Sequence, residues 1–180
     1  NITKAAKSCV ICVLPSDEAI SKYIEMVNYS DERRTTQGIK NAKHQHQAVK
    51  AAIKNGYSRL YFARCGETIA SAVFIGVIYD RAYYLMGGTN PEGMNIGASP
   101  FLLLRVAEQL EKEGVKSLTL GLANRESLKK FKYGLCARSL IVHQAGLDQY
   151  APPKSRAIHF VLKSSLSLYG FVYRLTSGIR

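Results

Sequence analysis

The sequence predicts a mixed α/β (α+β) domain: an antiparallel meander continued by a parallel strand–helix–strand crossover, flanked by helices. Three observations carry this reading. Apolar residues recur at helical spacing in two early segments. The period then drops to two across three short runs joined by tight turns, and a glycine-rich stretch leads into a long helix and a further buried strand. Strands joined by short turns run antiparallel, whereas a strand–helix–strand connection of this length returns parallel.

Taken in order, Cys9–Leu14 is an apolar run of strand length. Asp17–Tyr29 sets Ile20, Ile24 and Val27 on one helical stripe, with Ser16 as predicted N-cap. Asp31–Ile39 is polar and charged and reads as a loop. Asn41–Asn55 is a second helix that turns Val49, Ala52 and Ile53 inward and stops at Gly56. Leu60 and Phe62 then alternate with Arg59, Tyr61 and Ala63. A turn at Cys65-Gly66-Glu67 leads into Ile69–Tyr79, and Asp80-Arg81 turns the chain again into Ala82–Met86.

The stretch Gly87–Gly93 and Asn95–Pro100 forms a glycine loop ahead of the helix Phe101–Glu113. Ser99 is the predicted N-cap of that helix and Pro100 its first residue, while Leu103, Val106, Ala107 and Leu110 form its inward stripe. Lys116–Leu122 is a buried strand with Leu118, Leu120 and Leu122 on one face. Asn124–Tyr133 reads as a short basic helix, Ala137–Gln144 as a strand, Ala157–Leu162 as a last strand and Ser164–Gly178 as a basic amphipathic helix. We therefore expect the domain to span residues 1–150, with 151–180 packed on it as a strand and amphipathic helix.

At 180 residues and 47% hydrophobic content, the chain has single-domain size and lies outside the disordered and fibrous classes. No apolar run reaches the roughly 18–20 residues of a membrane span. The chain opens on Asn1 without a charged-then-apolar leader, and a cytoplasmic location is expected. Cys9, Cys12, Cys65 and Cys136 are too few and too scattered for a disulfide-stapled secreted module. On a strand, Cys9 and Cys12 point to opposite faces, a poor chelate, so buried thiols and no metal are expected.

The net charge of +12 is uneven: residues 1–60 carry +5, 61–124 carry −1 and 125–180 carry +8. Such a field draws anions, whether cofactor phosphates, nucleic acid or an acidic membrane. There are 11 Tyr and no Trp, and no nucleic-acid signature is present, so a nucleic-acid binder rests on charge alone. The C-terminal stripe of Leu168, Phe171 or Val172, Leu175 and Ile179, with Lys163, Arg174 and Arg180 nearby, fits docking on the sheet. It also fits peripheral membrane contact through that helix.

Gly97-Ala98-Ser99 admits two readings on its own. It is either a tight turn with an N-cap, or an anion cradle built from the free amides at a helix start. Gly87 and Gly88 at a strand end suit either a turn or the close approach of a ligand.

The element order resembles the GNAT superfamily of N-acyltransferases from about Ser16 to Gly146, most specifically from Leu85 to Leu135. In that superfamily an Arg/Gln-x-x-Gly-x-Gly/Ala loop holds the pyrophosphate of coenzyme A before the long helix. Met94-Asn95-Ile96-Gly97-Ala98-Ser99 occupies that place, with Gly97 in one glycine slot and the leading Arg/Gln missing. The resemblance implies acetyl-CoA or another acyl-CoA as co-substrate, held by Asn95, Gly97, Ala98 and Ser99. It also implies backbone contacts from Leu85, Met86 and Gly87 to the pantetheine arm, and a small-molecule or peptide amine as acceptor.

Further on, the superfamily shows an Asn followed by a Tyr that protonates the leaving thiolate. Here Asn124 holds the first place and Phe131 stands where the Tyr would be, while Tyr133 lies about 200° further round the helix. That departure, Leu128–Gly134 and Thr89–Glu92 are similar to the Fem-type branch, which takes an aminoacyl group from tRNA and uses two such domains. One domain here makes tRNA the less favoured donor. The altered loop and Phe131 also leave room for a silent binding module.

Acyl transfer to an amine needs the neutral amine, so a general base or a pKa-lowering site is required. Glu92, Tyr84 and Tyr133 are the candidate catalytic residues. Tyr83 points away from Tyr84, His143 fits a structural histidine, His44 and His46 lack an acidic partner, and Arg33-Arg34 reads as a solvated pair beside the acceptor pocket.

Overall fold

The structure is a computed structural model that describes residues 2–34, 49–123, 126–142 and 168–174. In chain order these form α1 (Ile2–Ser8), β1 (Cys9–Cys12), α2 (Ser16–Arg34), the helical residues 49–54 (α3), β2 (Ser58–Cys65), β3 (Thr68–Ile78) and β4 (Arg81–Thr89). There follow α4 (Pro91–Ile96), α5 (Ala98–Lys112), β5 (Ser117–Leu122), α6 (Glu126–Tyr133), β6 (Arg138–Val142) and β7 (Leu168–Arg174). The strands make one sheet in the order β1-β2-β3-β4-β5-β7-β6. The β4–β5 pair is parallel and the other neighbours are antiparallel.

Both faces of the central strands are covered, which explains why β3 is buried over seven consecutive residues. The period-two alternation of β2 divides between two cores. Tyr61 and Ala63 join Val73, Ile75 and the inward stripe of α5, whereas Leu60 and Phe62 join Ala72, Phe74 and α2 with α3. The α5 stripe is as predicted, with Leu103, Val106, Ala107 and Leu110 all buried. On α2 the buried stripe is wider than expected and takes in Tyr23 and Met26 beside Ile20 and Val27. Gly56 ends α3 in the left-handed region at φ 72°, with its N–H on Ile53 O.

Several expectations need correction. The α2 helix runs on to Arg34 through residues read as loop. Ser16 is its first helical residue, and the carbonyl of Pro15 receives the first bond, from the Ala19 amide. The glycine loop contains the helix α4, capped by Asn90 and started by Pro91. The α5 helix starts at Ala98 with Gly97 as its N-cap, so neither Ser99 nor Pro100 marks its start. Leu122 is 44% exposed and does not share the burial of Leu118 and Leu120.

Within the expected C-terminal helix, Leu168–Arg174 is a strand seated between β5 and β6. Its aromatic and β-branched residues favour extended backbone, and a vacant place between two strands satisfies both of its edges. The membrane contact read from that helix loses its basis there. No helix among the described residues is long and apolar enough to cross a membrane. Residues 35–48, 143–167 and 175–180, with His44, His46, His143 and the strand expected at Ala157–Leu162, lie outside the described residues.

Cys9 and Cys65, expected as thiols, are opposed in the β1–β2 register and joined by a disulfide, with Cα atoms 4.1 Å apart. Cys12 and Cys136 are free. The bond ties α1 and β1, and with them the buried Ala5, to the sheet.

Gly88 faces α2 so closely that a Cβ there would lie 2.0 Å from Met26 O. Gly88→Ala is therefore expected to destabilise the fold by about 3 kcal/mol, read as a fall in Tm, because backbone rather than a flexible side chain must move. Reducing the Cys9–Cys65 bond releases a cross-link that spans a sequence separation of 56 and should lower stability by about 2–4 kcal/mol. A Tm unchanged by dithiothreitol would contradict that.

Candidate active site

Strands β4 and β5 are paired only at their beginnings, Arg81–Tyr83 against Ser117–Thr119. Beyond that level each carries one extra residue. On β4, Tyr84 opposes Ile75 and Met86 opposes Phe74, leaving Leu85 outside the register. On β5, Thr119 opposes Val172 and Gly121 opposes Phe171, leaving out Leu120. A bulge bends and twists its strand. Two bulges at the same level, one on each strand, end the β4–β5 pairing, and among the described residues no strand pairs with the edge of β4 from Tyr84 to Thr89.

The end of β4 is held firmly. Ser71 Oγ donates to Gly88 O at 3.0 Å and lies 3.0 Å from Thr89 Oγ1, while the Thr89 amide donates to Ser30 Oγ of α2 at 3.1 Å. All three hydroxyl residues are buried. Asn90 then clamps the corner. Its amide donates to Ala70 O at 3.1 Å, its Nδ2 to Ile69 O at 3.1 Å, and its Oδ1 accepts from the Gly93 amide at 2.7 Å. The sequence signal for this clamp is Asn before Pro at a helix start.

Gly97 links α4 to α5 at φ 79°, a conformation that strains any residue with a Cβ. Phe101 N–H is the first α5 donor bonded within the helix, to Gly97 O at 3.2 Å. The preceding amides of Ala98 and Ser99 thus lie ahead of the first intrahelical bond at the positive end of a 15-residue helix. That is the donor set an anionic phosphate needs, and the residues fit it. Gly97 and Ala98 are buried and Ser99 half-buried, whereas Asn95 is exposed.

Of the remaining predicted residues, Tyr84 packs on the α5-side core with its hydroxyl 2.8 Å from the position a Gly87 Cβ would take. Leu85 is exposed at the bulge, and Met86 packs on the α2-side core. A Cβ at Gly87 would also meet Ala72 O at 2.8 Å. The close approaches at Gly87 and Gly88 are therefore made by the protein's own atoms. Glu92 is exposed in the first turn of α4, where a carboxylate complements the helix dipole. Phe131 packs on the α5-side core, and the exposed Tyr133 places its hydroxyl 3.2 Å from Ser139 Oγ. Asn124 lies outside the described residues.

One residue was not singled out from the sequence. Lys132 is 5% exposed and donates to Gly121 O at 2.9 Å and Leu122 O at 2.7 Å, at the bulged end of β5. It neighbours Phe131 and lies three residues before Leu135, both packed on the core, and a lysine between two such apolar positions is the signal the sequence offers. Burial pushes its pKa down to about 8.

The sequence model of the acetyltransferase (GNAT) domain matches residues 4–133. Compared by sequence, the chain has no significant match among curated proteins. In fold it is similar to the PaiA N-acetyltransferase of Thermoplasma acidophilum in complex with coenzyme A, at 13% identity and TM-score 0.65 over 93% of this chain and 99% of that one. It is also similar to a ribosomal-protein-alanine N-acetyltransferase of Escherichia coli, at 14% identity and TM-score 0.61 over 96% and 97% of the two chains. A GNAT-family acetyltransferase of Staphylococcus aureus gives 10% identity and TM-score 0.64 over 94% and 100%. At such identities the likeness speaks to the fold.

Lys132 also makes a pH prediction. Below pH 8 it is charged in both the folded and unfolded chain, and the folded state bears the cost of burying it. Between about 8 and 10.5 the unfolded chain binds a proton that the folded one has released, so stability rises with pH. The Tm of the wild type should therefore gain on that of Lys132→Met between about pH 7.5 and pH 10. A difference independent of pH would show that Lys132 titrates normally.

Proposed function

The chain belongs to the acetyltransferase (GNAT) domain family, and on that premise we propose that it moves an acyl group from acyl-coenzyme A to an amine by direct transfer. The observation that carries this is a coincidence of place: the gap between β4 and β5 opens at the end of β4 that runs into the α4–Gly97–α5 corner. A ligand with an extended amide arm and a phosphate group would lie along the first and end on the second. An acyl-coenzyme A supplies such an arm, together with a thioester whose carbonyl an amine attacks to release the free thiol.

In this reading the Ala98 and Ser99 amides orient the pyrophosphate, each contact contributing about 0.3–2 kcal/mol. The free edge of β4 at Leu85, Met86 and Gly87 aligns the arm, while Asn95 and Phe131 border it. Tyr84, beside Gly87, donates a proton to the leaving sulfur, and Glu92 receives one from the acceptor amine; Tyr133 is the alternative acid from α6. A lysine-like amine is neutral in only about one part in 2,500 at pH 7, which is why a proton acceptor is required. The acceptor is a small-molecule or peptide amine, in keeping with the ribosomal-protein substrate that the similar E. coli enzyme's name states. The basic last third of the chain and the Fem-like segment Leu128–Gly134 favour aminoacyl-tRNA as the second reading of the donor.

Calorimetric titration with acetyl-CoA tests this. Saturable binding is expected, weakened roughly tenfold or more by Gly97→Val, since a β-branched residue does not hold φ 79° without strain. Circular dichroism establishes that the variant is folded. Absence of binding by folded wild type would remove acyl-CoA and leave aminoacyl-tRNA or a silent binding module.

A further inference from the structure

Lys132 stands out because a buried ammonium is a poor way to dock a helix. Phe131 on α6 and Leu135 just after it already supply apolar surface to the core, and an apolar side chain at 132 would avoid the desolvation cost. A cation supplies something an apolar group does not, a fixed point for backbone carbonyls.

The carbonyls it holds are unusual. In a regular strand, successive carbonyls point to opposite edges. Gly121 O and Leu122 O instead accept from one ammonium, at 2.9 and 2.7 Å. Gly121 makes this feasible by adopting φ 71°, next to the residue left out of the β5–β7 register. It lies beside β4 just past the last paired residues, since a Cβ on it would be 3.9 Å from Tyr84 O, at the level where the β4–β5 pairing ends. The anchor therefore acts at the mouth of the gap.

We propose that Lys132 is a positioning residue for the proposed thioester cleft: by drawing the Gly121 and Leu122 carbonyls toward α6, it holds the end of β5 away from β4 and keeps the β4 edge open. The inference rests on the acyl-CoA reading for its functional half. The local half, that Lys132 sets the conformation of residues 120–123, stands apart from any ligand and can be measured without one.

The test uses the wild type, Lys132→Met, Gly121→Ala and the double variant, at pH 7, where Lys132 is charged. Lys132→Met keeps an unbranched side chain one atom shorter and removes the donors. Gly121→Ala keeps the cation and disfavours the backbone that presents both carbonyls, in a place where a Cβ meets nothing closer than Tyr84 O.

Two-dimensional amide NMR with hydrogen exchange reads the strand end, and calorimetry with acetyl-CoA reads the cleft. In either single variant we expect shifts and faster exchange confined to residues 84–87 and 119–123. We expect acetyl-CoA affinity to fall about tenfold to a hundredfold, the scale of a lost charged hydrogen bond. The double variant should be no worse than the worse single one, because both changes break the same device.

Folded Lys132→Met with unchanged amides and affinity would overturn the proposal, as would fully additive losses. Should Lys132→Met not fold, Gly121→Ala decides by the same readouts. Wild type that does not bind acetyl-CoA would overturn the acyl-CoA reading and the cleft role together, while the amide signature would still decide the role in β5.

Discussion

The requirement that buried backbone groups be paired governs this molecule. Strands β2 to β4 lie beneath helices on both faces, so water cannot serve their amides and carbonyls, and each strand needs a neighbour. The sheet meets that requirement in β1 to β4 and again from β5 through β7 to β6. It relaxes it in one described place, where β4 and β5 are paired for three residues and then separate. A binding edge for an extended ligand is the natural use of a strand left unpartnered inside a covered sheet, and the family to which the chain belongs is consistent with that use.

Holding such an opening takes polar anchors rather than more apolar packing. The Ser71–Thr89–Ser30 hydroxyl cluster ties the end of β4 to β3 and α2. Asn90 fixes the corner into α4 through three hydrogen bonds. Lys132 takes up the end of β5 from the other side. Apolar contacts are nondirectional and tolerate small slides, whereas hydrogen bonds to particular carbonyls specify where a backbone must lie. The anchors sit on both sides of the gap, and the large cores lie behind them.

Periodicity made most of the fold legible. The meander, the long helix with its inward stripe and the parallel return to β5 follow from repeats of two and 3.6, which are properties of the chain alone. What escaped depends on partners. Leu168–Arg174 looks amphipathic at helical spacing, yet the place waiting for it between β5 and β6 converts it to strand. Leu122 turns outward because of a bulge that begins two residues earlier, which no alternation pattern reveals. The Cys9–Cys65 pairing is a matter of register between β1 and β2 and cannot be read from spacing along the chain. Gly97 was identified, but its neighbours' roles shifted because α4 fills what looked like loop. Lys132 is one of three lysines on a short basic helix, and which of them turns inward depends on the β5 carbonyls it meets.

The place of β7 has a consequence for how the protein comes into being. Synthesis delivers β5 and β6 well before the strand that separates them, since residues 168–174 are made after both. Until they emerge from the ribosome, β5 and β6 each present an open edge toward the missing strand, and the nascent chain carries the two halves of a sheet with a slot between them. Closing that slot joins residues more than 45 apart in sequence, from Leu122 to Leu168, the kind of late, non-local pairing that slows folding and exposes sticky edges. Assembly of β5, the strand on one side of the gap, is thus completed by a segment made late, and the interval before it arrives is when the chain is most open to pairing with another copy of itself.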